Sequence, residues 1–306
     1  MSERTSPAQG ARRLRRLRLA QLVFDVRRRA SRLRRREAEA GRFTVPMLMG
    51  GPADDPAPVV MLHGFSDTKD SFVDVARLIT GQRRAILPDL PGFSEASQPT
   101  DHLYDVPGIA TVLREALDGV TEGPVHLVGN SLGGAVAAWL ALEHPQWVRS
   151  LTLIGSAGVR MPVKSAMQRH MEAGHNPFVI RSAEEYFGFM RFVVERVPPG
   201  TGLVTRAMAE RFMARRDMNE KILAELVAAG LDLTERLHQI RVPTMLLWGD
   251  RDRLIDLSAA RTFHRSIPGS RLVVMHGIGH CPQVEAPRAT ARRVLETIAR
   301  AEDQRW

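Results

Sequence analysis

The sequence predicts an α/β protein, a doubly wound and mostly parallel sheet that carries a large helical insertion. Three observations predict it. Short, near-continuously apolar runs between Val59 and Met275 have the composition of parallel strands buried on both faces. Helical stretches fill the gaps between them, in the alternating order that parallel crossovers require. One gap, from Ile154 to Thr244, is too long for a crossover and is itself helical in pattern.

The chain has 306 residues, 44% of them hydrophobic, which is enough to bury one large α/β core. Its formal charge is +9, but the charge is not spread evenly. Residues 1–42 hold fourteen arginines and four acidic residues, a net of +10, which leaves the remaining 264 residues at −1. A single cysteine, Cys281, excludes an internal disulfide framework. No Cys/His pairs stand at metal-ligand spacing, so a structural zinc site is not expected.

Taken in order, Arg12 to Arg36 reads as one helix without Gly or Pro, its apolar middle flanked by arginine clusters. Leu17 to Val26 is the longest apolar stretch there, and Arg18, Gln21 and Asp25 interrupt it, so no bilayer-spanning segment is expected. The basic start lacks the long apolar core and small-x-small cleavage site of a secretory signal, so a cytoplasmic protein is expected. Two readings of residues 12–36 stand side by side. They form either a peripheral contact with an anionic inner-membrane surface or an arm docked on the body or on a partner. Nucleic acid is disfavoured, because no base-reading motif accompanies the charge.

Strands follow at Val59–Leu62, Ala85–Leu87, Val125–Val128, Leu151–Ile154, Thr244–Leu247 and Arg271–Met275. Helices are expected at Ser71–Ile79, Gly108–Gly119, Leu132–Glu143, Leu257–Ser266 and Val284–Arg300. The long insertion breaks at Pro162, Pro177, Pro198–Gly200 and Gly230. Because it follows the C-terminal end of a strand, where open α/β sheets bind ligands, it is expected to cover the site. The organisation expected is therefore an arm over 1–42, a core over 43–158 and 239–306, and a helical cap over 159–238.

The chemistry begins at Gly129-Asn130-Ser131-Leu132-Gly133, between a strand and a helix. G-x-S-x-G in that setting is a nucleophile elbow: Ser131 occupies a tight turn that only small neighbours permit. The turn aims the N–H of Leu132 and the helix N-terminus at a developing oxyanion. A serine hydroxyl needs an oriented base, and His280, on the loop after the last strand, is placed for it; His276 falls at the strand end and reads as structural. The base needs a carboxylate to hold its tautomer, and Asp252 is the choice among three acids after the preceding strand. Asp250 reads as holding the turn and Asp256 as capping the next helix. The second oxyanion donor is expected at the N–H of Phe65, after Gly64, with His63 bracing that loop.

His63-Gly64-Phe65, Asp89-Leu90-Pro91-Gly92-Phe93, Gly129–Gly134, Gly249-x-x-Asp252 and Gly279-His280 together resemble the α/β-hydrolase superfamily, over residues 45–300. More narrowly, His63–Asp70, Trp248–Asp252 and Ser182–Pro199 are similar to monoacylglycerol lipases and related bacterial lipases. The resemblance implies an α/β-hydrolase fold with its cap inserted after the sixth strand, and a cofactor-free serine esterase or lipase of lipid metabolism. The expected substrate is a small-molecule carboxylic ester with an apolar acyl group, such as a monoacylglycerol. Seven of the thirteen methionines and five phenylalanines fall in 159–238, which suits either an adaptable acyl groove or the packing of the cap on itself. Two alternatives are a C–C bond hydrolase of vinylogous diketones, which the G-N-S-x-G-G elbow also resembles, and a non-catalytic ligand-binding protein on the same fold. Deleting residues 1–40 is expected to abolish vesicle binding and spare turnover of a soluble ester.

Overall fold

A computed structural model describes residues 7–178, 180–196 and 202–303. An eight-stranded sheet runs through it in the order β1-β2-β4-β3-β5-β6-β7-β8. The strands are β1 (Arg34–Ala40), β2 (Phe43–Gly50), β3 (Val59–Leu62), β4 (Ala85–Pro88), β5 (Val125–Asn130), β6 (Val148–Ile154), β7 (Thr244–Gly249) and β8 (Arg271–Met275). Pairing is antiparallel for β1 with β2 and β2 with β4, and parallel for the rest. Every residue of β3, β5 and β7 is buried, which accounts for their unbroken apolar runs.

Helices cover both faces. On one, α3 (Val106–Asp118), α4 (Leu132–Glu143) and α9 (Leu257–Ser266) close the larger core with Leu62, Leu127 and Leu153. On the other, α2 (Val73–Ile79) and α11 (Pro287–Glu302) pack on Met61, Val128 and Leu247. α3 starts with Asp105 accepting the N–H of Gly108 and a proline in the first turn, two features that favour helix initiation. The helix expected at Val284–Arg300 is two: α10 (Pro282–Glu285) and α11, broken at Ala286 where Pro287 follows.

Between β6 and β7 lie α5 (Ala166–Glu172), α6 (Ala183–Val193), α7 (Gly202–Ala214) and α8 (Arg216–Ala229). Met167, Ile180, Tyr186, Phe189, Ala209 and Phe212 form their own small core. The break expected at Pro198–Gly200 and the end of the Ser182–Pro199 stretch lie outside the described residues, as do the side chains of Arg12, Arg13 and Arg16.

The N-terminal segment departs most from expectation. The helix, α1 (Pro7–Ala30), stops six residues short of Arg36, and Arg32 turns the chain at φ +56°. Residues 34–40 leave the arm altogether and become the edge strand β1, paired over its whole length with β2. The expected arm boundary at 42 thus falls in the β1–β2 turn. Arg-Arg-Arg-Glu-Ala-Glu-Ala carries no helical stop signal, but its first residues are exposed and pairing supplies the backbone bonds that decide its form. β2 was hidden as well, because Pro46 interrupts it; its N–H is missing where a ladder bond would otherwise form.

Candidate active site

The elbow is a strained turn. Ser131 has φ 55° and ψ −117°, outside the regions ordinary residues populate, between the last residue of β5 and the first of α4. Its N–H donates to the Ile154 carbonyl at 3.0 Å, and its own carbonyl accepts from Gly134 and Ala157. The glycines are obligatory. A Cβ on Gly129 would stand 2.2 Å from the Gly133 carbonyl oxygen, and one on Gly133 would stand 2.4 Å from that of Leu62. Leu132 is the first helical residue, so its N–H precedes any intrahelical acceptor and faces outward with the helix dipole.

His280 and Asp252 meet across the sheet end. His280 Nδ1 donates to Asp252 Oδ2 at 2.7 Å, and both side chains are buried. Asp252 Oδ1 is held by the N–H groups of Leu254 and Ile255, each at 2.9 Å, which fixes the carboxylate plane. That leaves His280 Nε2 without a proton, buried and with no hydrogen-bond partner among the described residues. Asp250 instead accepts from the Gly277 N–H at 2.7 Å and faces exposed His276 at 3.1 Å, and Asp256 caps α9 through Ser258.

The loop from His63 lies against the elbow, for a Cβ on Gly64 would come 3.3 Å from Ser131 Cβ. His63 Nε2 accepts the Leu90 N–H at 2.9 Å, so its proton sits on Nδ1 and is donated to the Gly64 carbonyl at 2.8 Å. A neutral, fully buried imidazole therefore braces the loop that carries Phe65. Two residues beyond Phe65, burial pushes the Asp67 carboxyl above its ordinary range. Burial also raises the Tyr186 hydroxyl, and the charge of Asp67 adds to it.

Three contributors were not found by sequence reasoning. Asn130, treated only as the variable position of the elbow, donates from Nδ2 to the carbonyls of Ile154 and His280, at 3.0 and 3.1 Å. Its Oδ1 accepts from Gln283 Nε2 at 3.0 Å and lies 3.7 Å from the buried Cys281 thiol, whose pKa burial pushes well up. Gly155, at φ +48°, leaves room for the base: a Cβ there would stand 3.0 Å from His280 Nδ1 and 3.1 Å from Asp252 Oδ2. Only a glycine in the strand-end motif Gly155-Ser156-Ala157-Gly158 hinted at that last role.

The phenylalanines of the inserted helices continue from the loop. The Phe65 ring meets Phe93 at 5.4 Å and Phe178 at 5.5 Å, edge to face; Phe178 meets Phe189 at 5.3 Å, and Phe189 meets Phe212 at 6.1 Å. Among the described residues no group of three acidic, His or Cys side chains could hold a metal ion.

Residues 59–293 match the model of the alpha/beta hydrolase family. The chain is 31% identical to Lipase 1 of Psychrobacter immobilis over 240 residues, 76% of this chain and 74% of that one. It is 28% identical to monoacylglycerol lipase abhd6-B of Xenopus laevis over 264 residues, 82% of this chain and 77% of the other. Among solved structures, a bacterial membrane phospholipase A superposes with a TM-score of 0.91 at 32% identity, covering 96% of this chain and 95% of that chain.

Proposed function

The chain belongs to the alpha/beta hydrolase family, and from that premise we propose that it is a lipase-type serine esterase working through an acyl-enzyme on Ser131. The observation that carries the reading is the buried Asp252–His280 hydrogen bond, with His280 Nε2 unengaged and the His280 carbonyl held by Asn130 of the elbow. Ser131 Oγ attacks the ester carbonyl while its proton passes to His280 Nε2. Asp252 holds the tautomer and stabilises the imidazolium. The amides of Phe65 and Leu132 receive the oxyanion. His280 then protonates the departing alcohol, and water, activated by the same imidazole, releases the acid.

The lipase relatives favour acyl esters over C–C bond cleavage or ligand binding without turnover. A monoacylglycerol-like substrate suits the aromatic path from Phe65 into the inserted helices, which we read as a cap over residues 159–238. A panel of p-nitrophenyl esters of graded chain length, run beside a fluorophosphonate probe, tests this. Turnover should grow with acyl length and vanish, together with labelling, in Ser131→Ala. No hydrolysis of any ester sinks the reading.

The outer face of α1 is its lipid contact in this proposal. Ala20, Phe24 and Arg28 turn inward, whereas Leu19, Leu22, Val23 and Val26 form an exposed stripe at helical spacing between exposed Arg15, Arg18 and Arg29. Among the described residues no helix is long and apolar enough to cross a membrane, and in this reading α1 lies on the surface. Each arginine near an anionic cytoplasmic leaflet contributes about 1 kcal/mol. Sedimentation with phosphatidylserine vesicles should be lost in Leu22→Asp/Val26→Asp, and a wild type that never sediments refutes the contact.

A further inference from the structure

α1 is not a separable arm. It lies along the seam between the cap and the sheet domain and makes a polar contact with each. Arg211 of α7 donates to Gln21 at 2.7 Å and stands over the Phe24 ring. Arg27 pairs with Asp74 of α2 at 2.8 Å, both partners being more than a third exposed.

Arg28 differs in kind. It is buried, and its guanidinium forks onto the equally buried Asp70 carboxylate, Nε to Oδ1 at 2.7 Å and NH2 to Oδ2 at 2.6 Å. Asp70 closes the segment that begins at His63 and Phe65. Its neighbour Lys69 is fully buried, with its N–H and Nζ both on Asp89, at 2.9 and 2.6 Å, and Nζ 3.2 Å from Glu95. Glu95 also faces Arg35 at 3.3 Å and Arg28 at 3.9 Å. Buried Arg28, Asp70, Lys69 and Asp89 thus connect through half-exposed Glu95 to exposed Arg35. Thr68 ties the turn together, its hydroxyl accepting the Asp70 N–H. Without Arg28, the Asp70 carboxylate loses both of the side-chain bonds that set its direction. The segment must then shift, and Phe65 lies five residues upstream on it.

We propose that Arg28 is a positioning residue for the oxyanion loop, acting through Asp70, so that α1 contributes to turnover as well as to attachment. The inference rests on the serine-esterase reading of the site. It also reverses the expectation that removal of residues 1–40 spares a soluble ester. A planar fork matches the carboxylate in two bonds, whereas lysine would restore the charge without the direction.

The test uses the full chain without vesicles: wild type, Arg28→Gln, Arg28→Lys, and Arg27→Gln as the control on the exposed pair. Thermal unfolding establishes that each is folded. The fluorophosphonate labelling rate then reports the oxyanion loop directly, and kcat and KM on p-nitrophenyl butyrate report turnover. Arg28→Gln should label and turn over at least roughly tenfold more slowly, with KM held within about threefold. Arg28→Lys should recover part of the loss, and Arg27→Gln should stay within about twofold of wild type. If Arg28→Gln does not fold, Arg28→Lys decides by the same readouts. Folded Arg28 variants that label at the wild-type rate overturn the positioning role alone. A wild type that the probe never labels overturns the esterase reading, and this inference with it.

Discussion

Replacing Asp252 by asparagine tests the base assignment with almost no change of shape. Oδ1 of Asp252 accepts two N–H groups, from Leu254 and Ile255, and Oδ2 accepts the proton of His280 Nδ1. In the variant the amide oxygen must keep the first position, because an NH2 there would face two donors. The NH2 group therefore faces Nδ1, and two N–H groups cannot bond to each other. The imidazole relieves the conflict by moving its proton to Nε2, where it can no longer accept one from Ser131. A base locked in the wrong tautomer costs about 10⁴ in kcat, equivalent to about 5.5 kcal/mol of barrier. The assay is kcat on a p-nitrophenyl ester alongside thermal unfolding, with Asp250→Asn as comparison. Asp250 engages Gly277, the exposed His276 and the exposed Arg251, so its variant should fall by less than about threefold in rate. If Asp252→Asn keeps its rate within about tenfold, or Asp250→Asn loses as much, the assignment of the acid is wrong.

Gly155→Ala would push a methyl between His280 and Asp252 and strain a residue at φ +48°; kcat should fall by at least roughly tenfold with the fold retained, as thermal melts would check. Asn130→Ala removes the bonds to the His280 and Ile154 carbonyls and strands Gln283. We expect a loss of about 1–3 kcal/mol in urea unfolding and a kcat drop with unchanged KM. Burial, with Arg83 and Arg149 nearby, holds the His126 pKa down at about 3, and the ring is locked neutral, Nε2 accepting from Arg83 and Nδ1 donating to Ser150. The unfolded chain binds that proton first, so this contribution is complete above pH 6.5 and is lost as pH falls toward 3, to a limit of about 5 kcal/mol. Urea midpoints between pH 7 and 4 should fall less steeply in His126→Gln, and identical slopes would contradict it.

What could be read in advance follows from where each constraint resides. The elbow was readable because its glycine pattern is local: Gly129 and Gly133 flank Ser131 in the chain, although only the clash that Gly129 avoids is with a near neighbour and Gly133 makes room for the distant carbonyls of Leu62 and His63. The meeting of Asp252 with His280, at 2.7 Å, was legible because each follows an apolar strand at the same end of the sheet. Asn130 could not, since its partners His280 and Gln283 lie some 150 residues away and nothing in a glycine turn announces them. Arg28 was one arginine among fourteen, and only the fold decides which of them meets Asp70. β1 was misread for a related reason. Its pairing with β2 across a two-residue turn outweighs the composition it shares with the helix before it. The phenylalanines of the insertion pack on one another, Phe178 on Phe189 and Phe189 on Phe212, and Phe178 also reaches the ring of Phe65.

The molecule's one thiol also gives it a built-in clock. Cys281 follows the base directly, is enclosed beside Asn130, and is kept protonated by its burial. A maleimide or disulfide reagent can therefore react only when the loop bearing His280 opens or the whole chain unfolds. Comparing the rate of that modification with the rate of global unfolding measures how often the base leaves its station in the native ensemble, with no label introduced and no residue changed.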